Sequence, residues 1–164
     1  MAMKIFPLLL VALTTGLAVG QANLGTCLSS AMVPKNNATE CAATPSQTYA
    51  CVQNVQIDGV RFTTVGYDSR TRRIKYLFTQ DDKFKTSDGL QVNSLISLAE
   101  NEISSVKGWH TIGPRTRDGW RPILGILLDG NFIESADGEA IDLTKPVAGK
   151  THRFKIIGFD KGGV

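Results

Sequence analysis

The sequence predicts an α+β fold, an antiparallel sheet of five or six strands with one helix packed on a face. Three observations carry that expectation. Two β-rich runs, CVQNVQI and VRFTTVGY, are joined by Asp58-Gly59, a dipeptide suited to the φ > 0 positions of a tight hairpin turn. The apolar residues Leu95, Leu98, Ala99, Ile103 and Val106 recur at helical spacing. The resulting order, β, β, β, α, β, β, β, sets a single helix among antiparallel strands.

Each element follows from its residues. In the first hairpin Val55 and Ile57 share one face, as do Val60 and Phe62 on the returning strand. Asp68 and Ser69 supply the next turn, and the run from Arg73 to Thr79 is a third strand with Ile74, Tyr76 and Phe78 on one face and Lys75 and Thr79 on the other. The polar stretch QDDKFKTSDG ends this meander. A helix of about three turns then starts at Asn93 or Ser94 as N-cap, with Glu102 the polar residue on its apolar stripe, and Gly108 ends it. After a loop rich in Gly, Trp, Arg and Pro, Ile123–Leu128 is a buried strand, Asp129-Gly130 a turn, and Asn131–Glu134 the return. A last strand runs from His152 to Phe159, alternating Arg153 and Lys155 with Phe154 and Ile156.

The N-terminus states a destination. Lys4 precedes an apolar run from Ile5 to Val19, and the small residues Gly20 and Ala22 follow, the order of a secretory signal peptide. The run carries Pro7, Thr14, Thr15 and Gly16 and falls short of the roughly 20 apolar residues a membrane span needs. Residues 1–22 therefore read as a signal peptide, with cleavage after Gly20 the alternative, residues 23–50 as an irregular arm, and residues 51–164 as the domain. The expected location is exported, periplasmic or extracellular. Formal net charge is +3 for the chain. Loss of Lys4 lowers it, and acids and bases are mixed along the sequence, a pattern unlike the clustered charge of a nucleic-acid binder.

Three cysteines, Cys27, Cys41 and Cys51, lie close together behind the signal segment. In an oxidising compartment they imply one disulfide and one cysteine left over. Cys41 with Cys51 is the preferred pair, since the Pro-containing loop between them closes easily, and Cys27 with either partner is the alternative. Cys27 has two further readings, a lipid-anchoring cysteine that would bring the chain to a membrane, and a cross-link between chains. Asn37-Ala38-Thr39 is a glycosylation sequon in a eukaryotic host and a plain surface tripeptide in a bacterium.

The segment from Phe84 to Val92, FKTSDGLQV, leads directly into the expected helix at Ser94. It resembles small exported bacterial α+β domains of lipoprotein type, related to the β-lactamase-inhibitor protein and to the small outer-membrane assembly lipoproteins. Gly89, Leu90, Val92 and Ser94 match the turn that leads into the helix there; Asn93 stands where that group usually has Gly, and Trp109 where a Tyr-Gly often closes the helix. The resemblance implies an α+β domain that binds other proteins, and it is silent on activity.

Catalytic and cofactor patterns are sparse. His110 and His152 have no metal-ligand spacing around them, HExxH and CxxC are absent, and no metal or cofactor is expected. No G-x-S-x-G elbow or phosphate-cradling glycine loop occurs, and no catalytic residue is assigned. Glu134, Asp137, Glu139 and Asp142 form an acidic cluster that reads as a solvated hairpin loop. The stretch from Gly108 to Pro122 stands out, with both tryptophans, three arginines and a histidine. Trp and Arg dominate the energetic centres of protein interfaces. Trp109, His110, Arg115, Arg117, Trp120 and Arg121 are therefore the candidate partner-binding residues. The competing structural account has Trp109 plug the core; Trp120 is expected to lean toward solvent. A second basic group, Arg70, Arg72, Arg73 and Lys75, would join them in one basic face if the fold sets it alongside.

The expectation is an exported, noncatalytic binding domain, inhibitor-like, immunity-like or envelope-assembly-like, that engages a protein partner; the same loop could also take a glycan or an anionic ligand. The alternatives are a small hydrolase or glycan-processing enzyme using Glu134, Asp137 or His110, and an envelope structural subunit.

Overall fold

The computed structural model describes residues 22–33, 39–44, 47–105 and 110–162. The segment expected to be a signal peptide, residues 1–22, lies outside the described residues except for Ala22, and Trp109 lies outside them as well. Among the described residues no helix is long and apolar enough to cross a membrane.

Among the described residues twelve strands form in order: β1 (Thr39–Thr44), β2 (Gln47–Ile57), β3 (Val60–Tyr67), β4 (Ile74–Thr79), β5 (Leu95–Ala99), β6 (Ser104–Ser105), β7 (His110–Ile112), β8 (Arg121–Ile126), β9 (Phe132–Glu134), β10 (Ala140–Asp142), β11 (Thr151–Lys155) and β12 (Gly158–Gly162). Eight of them make one antiparallel sheet in the order β1-β2-β3-β4-β12-β8-β7-β6, and two small ribbons, β11-β5 and β10-β9, complete the fold. The expected hairpin and meander are present, with Asp58 at φ 51° and Gly59 at φ 81° in the turn.

The expected α+β class is overturned, because the described residues are nearly all β and no helix among them packs on the sheet. Where the helix was expected, residues 95–99 are β5, followed by one 3-10 turn over Glu100–Glu102. The reason lies in the pairing. Leu98 sits opposite His152 and Ile96 opposite Phe154 on β11, so Ile96 and Leu98 face inward while Leu95 stays exposed. A helix would have placed Ile96 off the apolar stripe, and the long-range partner overrides the local period. Glu102 accepts the Ala99 N–H at 2.8 Å and so caps the turn instead of lying on a helix face.

Three further expectations are corrected. The stretch expected to be an irregular arm holds β1 and the start of β2, and residues 25–28 run beside the entry to β4 through Gly25 N–H to Ile74 O, Ile74 N–H to Thr26 O and Leu28 N–H to Arg72 O, each 2.8 Å. The last strand divides: β11 joins β5, and β12 enters the main sheet between β4 and β8 after a bend at Ile156-Ile157. On β4, Ile74 and Leu77 enter the core, whereas Tyr76 lies against Gly66 and Phe78 stacks on His110. A register shift between Gly66 and Tyr67 explains why Ile74 and Tyr76 do not share a face.

Two apolar clusters hold the molecule. The first gathers Phe62, Val65, Leu77, Trp120, Ile156 and Phe159, with Ala22 and Leu28 of the N-terminal segment packed into it. The second gathers Leu98, Leu124, Ile133, Ile141 and Phe154 between the ribbons and β8. Partly buried Ile96 packs against both. Asn54, at φ 53°, interrupts the alternation along β2, so Val52 before it and Val55 and Ile57 after it all meet the first cluster.

Candidate functional site

The loop between β7 and β8 is built as a closed brace. Thr116 N–H donates to Trp120 O at 2.7 Å, and Trp120 N–H returns to the Thr116 hydroxyl at 2.9 Å. That hydroxyl lies 2.7 Å from Asp118 Oδ1. A second loop then locks onto the first: Ser87 N–H donates to Asp118 Oδ2 at 3.0 Å, and Arg117 N–H to Asp88 Oδ2 at 2.7 Å. Burial opposes the charge of Asp118, yet the hydrogen bonds from Thr116 and Ser87 prevail and hold its carboxyl below the ordinary range.

Trp120 anchors this brace. Its side chain is fully buried, edge-on to Phe84 at 4.6 Å and stacked on Phe62 at 6.3 Å, with Lys161 Nζ 5.3 Å above the ring. The expected lean toward solvent is thus corrected. Apolar surface of this size gains more from the core than its one N–H gains from water. Arg121 is also buried. Its guanidinium makes a bidentate pair with Asp160 on β12, Nε to Oδ1 at 2.7 Å and Nη2 to Oδ2 at 2.6 Å, and Nη2 reaches Gly162 O at 3.3 Å. Trp120 and Arg121 are both buried where the chain enters β8, whereas Arg115 and Arg117 on the loop before them are exposed, the Arg117 side chain 88% exposed with a loose 3.8 Å ion pair to Asp88.

His110 occupies β7, half-buried, with its ring stacked on Phe78 at 6.5 Å. Burial pushes its pKa down, Asp160 works against that shift and Arg121 adds to it, so three sequence-selected and sheet residues share one electrostatic neighbourhood. The structure therefore brings His110 and Arg121 together with Asp160, and Arg115 and Arg117 together on the braced loop. The second basic group is linked to this loop through the N-terminal segment: Arg73 Nη1 donates to Gly25 O at 2.8 Å, and Lys161 Nζ reaches Asn23 Oδ1 at 3.3 Å.

Two members of the acidic cluster, Asp137 and Glu139, are paired with cations. Asp137 pairs with Arg153, Glu139 with Lys150 at 2.6 Å and with His152 at 3.2 Å, and Asp142 accepts the Thr144 hydroxyl at 2.6 Å. Sequence reasoning missed Glu100 and Asp160, two buried carboxylates that organise His152 and Arg121. Only the pairing of distant strands brings these groups together. Among the described residues no three His, Cys, Asp or Glu side chains gather as metal ligands.

Cys41 registers opposite Tyr49 and Cys51 opposite Thr39, a diagonal rather than a direct cross-strand pair, and the Cys41 side chain lies outside the described residues. Cys27 is exposed, with Sγ 3.8 Å from Thr71 O. No protein-family model, no curated protein and no solved structure matches this chain.

Proposed function

We propose that the protein is an exported, noncatalytic binding domain that engages an acidic surface on a protein partner through Arg115 and Arg117. The observation that carries this reading is the contrast within one loop, whose backbone is fixed at both ends by Asp88, Asp118 and Trp120 while its two outer arginines are exposed and only loosely held, Arg115 Nη1 at 3.5 Å from Gly119 O and Arg117 Nε at 3.8 Å from Asp88 Oδ1. A rigid loop pays little ordering entropy on binding, and guanidinium forks suit carboxylates. Trp120 and Arg121 support the surface from beneath rather than touching a partner.

The test compares the mature chain with its Arg115→Ala/Arg117→Ala variant as bait for secreted and envelope proteins of its own host, followed by mass spectrometry. A partner held by the unaltered chain, lost on the variant and released by raised salt supports the assignment. The same partner on both baits contradicts it.

A further inference from the structure

A second site lies away from the braced loop, where the β2–β3 hairpin meets the turn after β4. A cleft of about 400 Å³ opens there, lined by Asn54, Gln56, Arg61, Asp81, Asp82 and Lys83 among others. That volume falls in the range of small-ligand sites, roughly 300 to 1,000 Å³. Its lining is polar, which separates it from the mostly apolar pockets that take flat hydrophobic ligands.

The cleft is built on one carboxylate. Asp81 Oδ2 accepts the Arg61 N–H at 2.7 Å and Oδ1 accepts the Lys83 N–H at 3.0 Å. Those backbone bonds, that from Arg61 first, hold its carboxyl below the ordinary range. The Arg61 carbonyl is gripped as well, by the Thr79 hydroxyl at 2.8 Å. Two cations thus project from backbone fixed by the same group. Gln56 stands directly opposite Arg61 in the ladder, and Asn54, two residues before it, lies where the strand kinks to φ 53°. Asn54, Gln56, Arg61, Asp82 and Lys83 are exposed, and the side chains of Arg61 and Lys83 act on Asp81 through charge alone, so the side-chain donors and acceptors of all five face the cleft's solvent.

We infer that this cleft binds a small hydroxylated carboxylate of the sugar-acid class. Arg61 and Lys83 meet the carboxylate, the first with its planar fork and the second as a point charge. The amides of Asn54 and Gln56 each offer a donor and an acceptor, and Asp82 offers acceptors only, which is the set that hydroxyl groups require. Neither a neutral sugar nor a bare carboxylate uses both halves of the lining. This inference does not depend on the arginine loop, which shares none of these residues.

The probe is glucuronate, titrated into the isotopically labelled mature chain and followed by amide NMR, with glucose and acetate as separate titrants. Saturable shifts at residues 54–61 and 81–83 with glucuronate, and weaker ones with each half-ligand, are expected. Arg61→Ala and Lys83→Ala should each weaken binding by about tenfold or more, because a charge-assisted hydrogen bond is lost. The Gln56→Ala change should weaken glucuronate but leave acetate unaltered. No saturable shift with glucuronate, equal shifts with acetate, or shifts confined to other residues would each overturn the inference.

Discussion

His152 Nε2 lies 2.8 Å from Glu100 Oε1, and both side chains are buried. The other Glu100 oxygen accepts the Val147 N–H at 2.6 Å, while His152 Nδ1 faces Glu139 Oε2 at 3.2 Å. One carboxylate therefore ties the 3-10 turn, the loop before β11 and β11 itself into a single junction.

Acid should loosen this junction. The Val147 N–H, and after it the His152 hydrogen bond, hold Glu100 below its ordinary value of 4.5, against burial, which acts to raise it. A carboxyl depressed in the folded state contributes stability that is present above its ordinary value and is lost as pH falls through its folded value. Urea midpoints of the unaltered chain and Glu100→Gln should accordingly differ at neutral pH, with the variant lower, and converge as pH drops below that value. A constant gap across the titration would contradict the assignment.

Trp120 and the outer arginines should separate cleanly in stability. Trp120→Ala empties the centre of the first cluster and should cost about 3–5 kcal/mol. Trp120→Phe should cost less, because the indole Nε1 has no hydrogen-bond partner among the described residues to lose. Arg117→Ala, at a side chain 88% exposed, should stay within about 0.5 kcal/mol. Thermal or urea unfolding of the three variants checks the order.

The buried Arg121–Asp160 pair, with side chains 7% and 3% exposed, should be costly to break and cheap to replace. Asp160→Ala strands a guanidinium in the interior and should lose about 3–5 kcal/mol. The double change Arg121→Met/Asp160→Leu should recover most of that loss, since it removes both desolvation penalties together. A double-mutant cycle by chemical denaturation measures the coupling.

Two glycines with similar backbone angles should respond differently to alanine. Gly59 turns the first hairpin at φ 81° with nothing within 4 Å of an added Cβ, so Gly59→Ala should cost only the left-handed backbone strain, about 1–2 kcal/mol. Gly162 sits at φ 87° with the Lys75 backbone carbonyl in the space a Cβ would take, so Gly162→Ala must also displace the β4–β12 pairing. Its melting temperature should fall well below that of the Gly59 variant.

These contrasts mark what local sequence carries and what it does not. The Asp58-Gly59 hairpin, the meander and the Asp129-Gly130 turn were legible because their signals sit within a few neighbouring residues. The segment from Leu95 to Ile103 was not, because its apolar spacing satisfies a helix as well as a strand and only Phe154 and His152, more than fifty residues on, decide between them. The bend at Ile156-Ile157 hid for the same reason, since one alternating run serves two sheets. Within the site, the loop was visible from its Trp and Arg content, but which members face outward was not. Asp160 claims Arg121, Phe62 and Phe84 claim Trp120, and none of these partners is a sequence neighbour.

Partner capture by the Arg115→Ala/Arg117→Ala chain, read beside its thermal melt, most directly tests whether the braced loop is the binding surface. The expected result is loss of the captured partner with a melting temperature unchanged within experimental scatter. Capture of the same partner at undiminished yield by a fully folded double variant would contradict it.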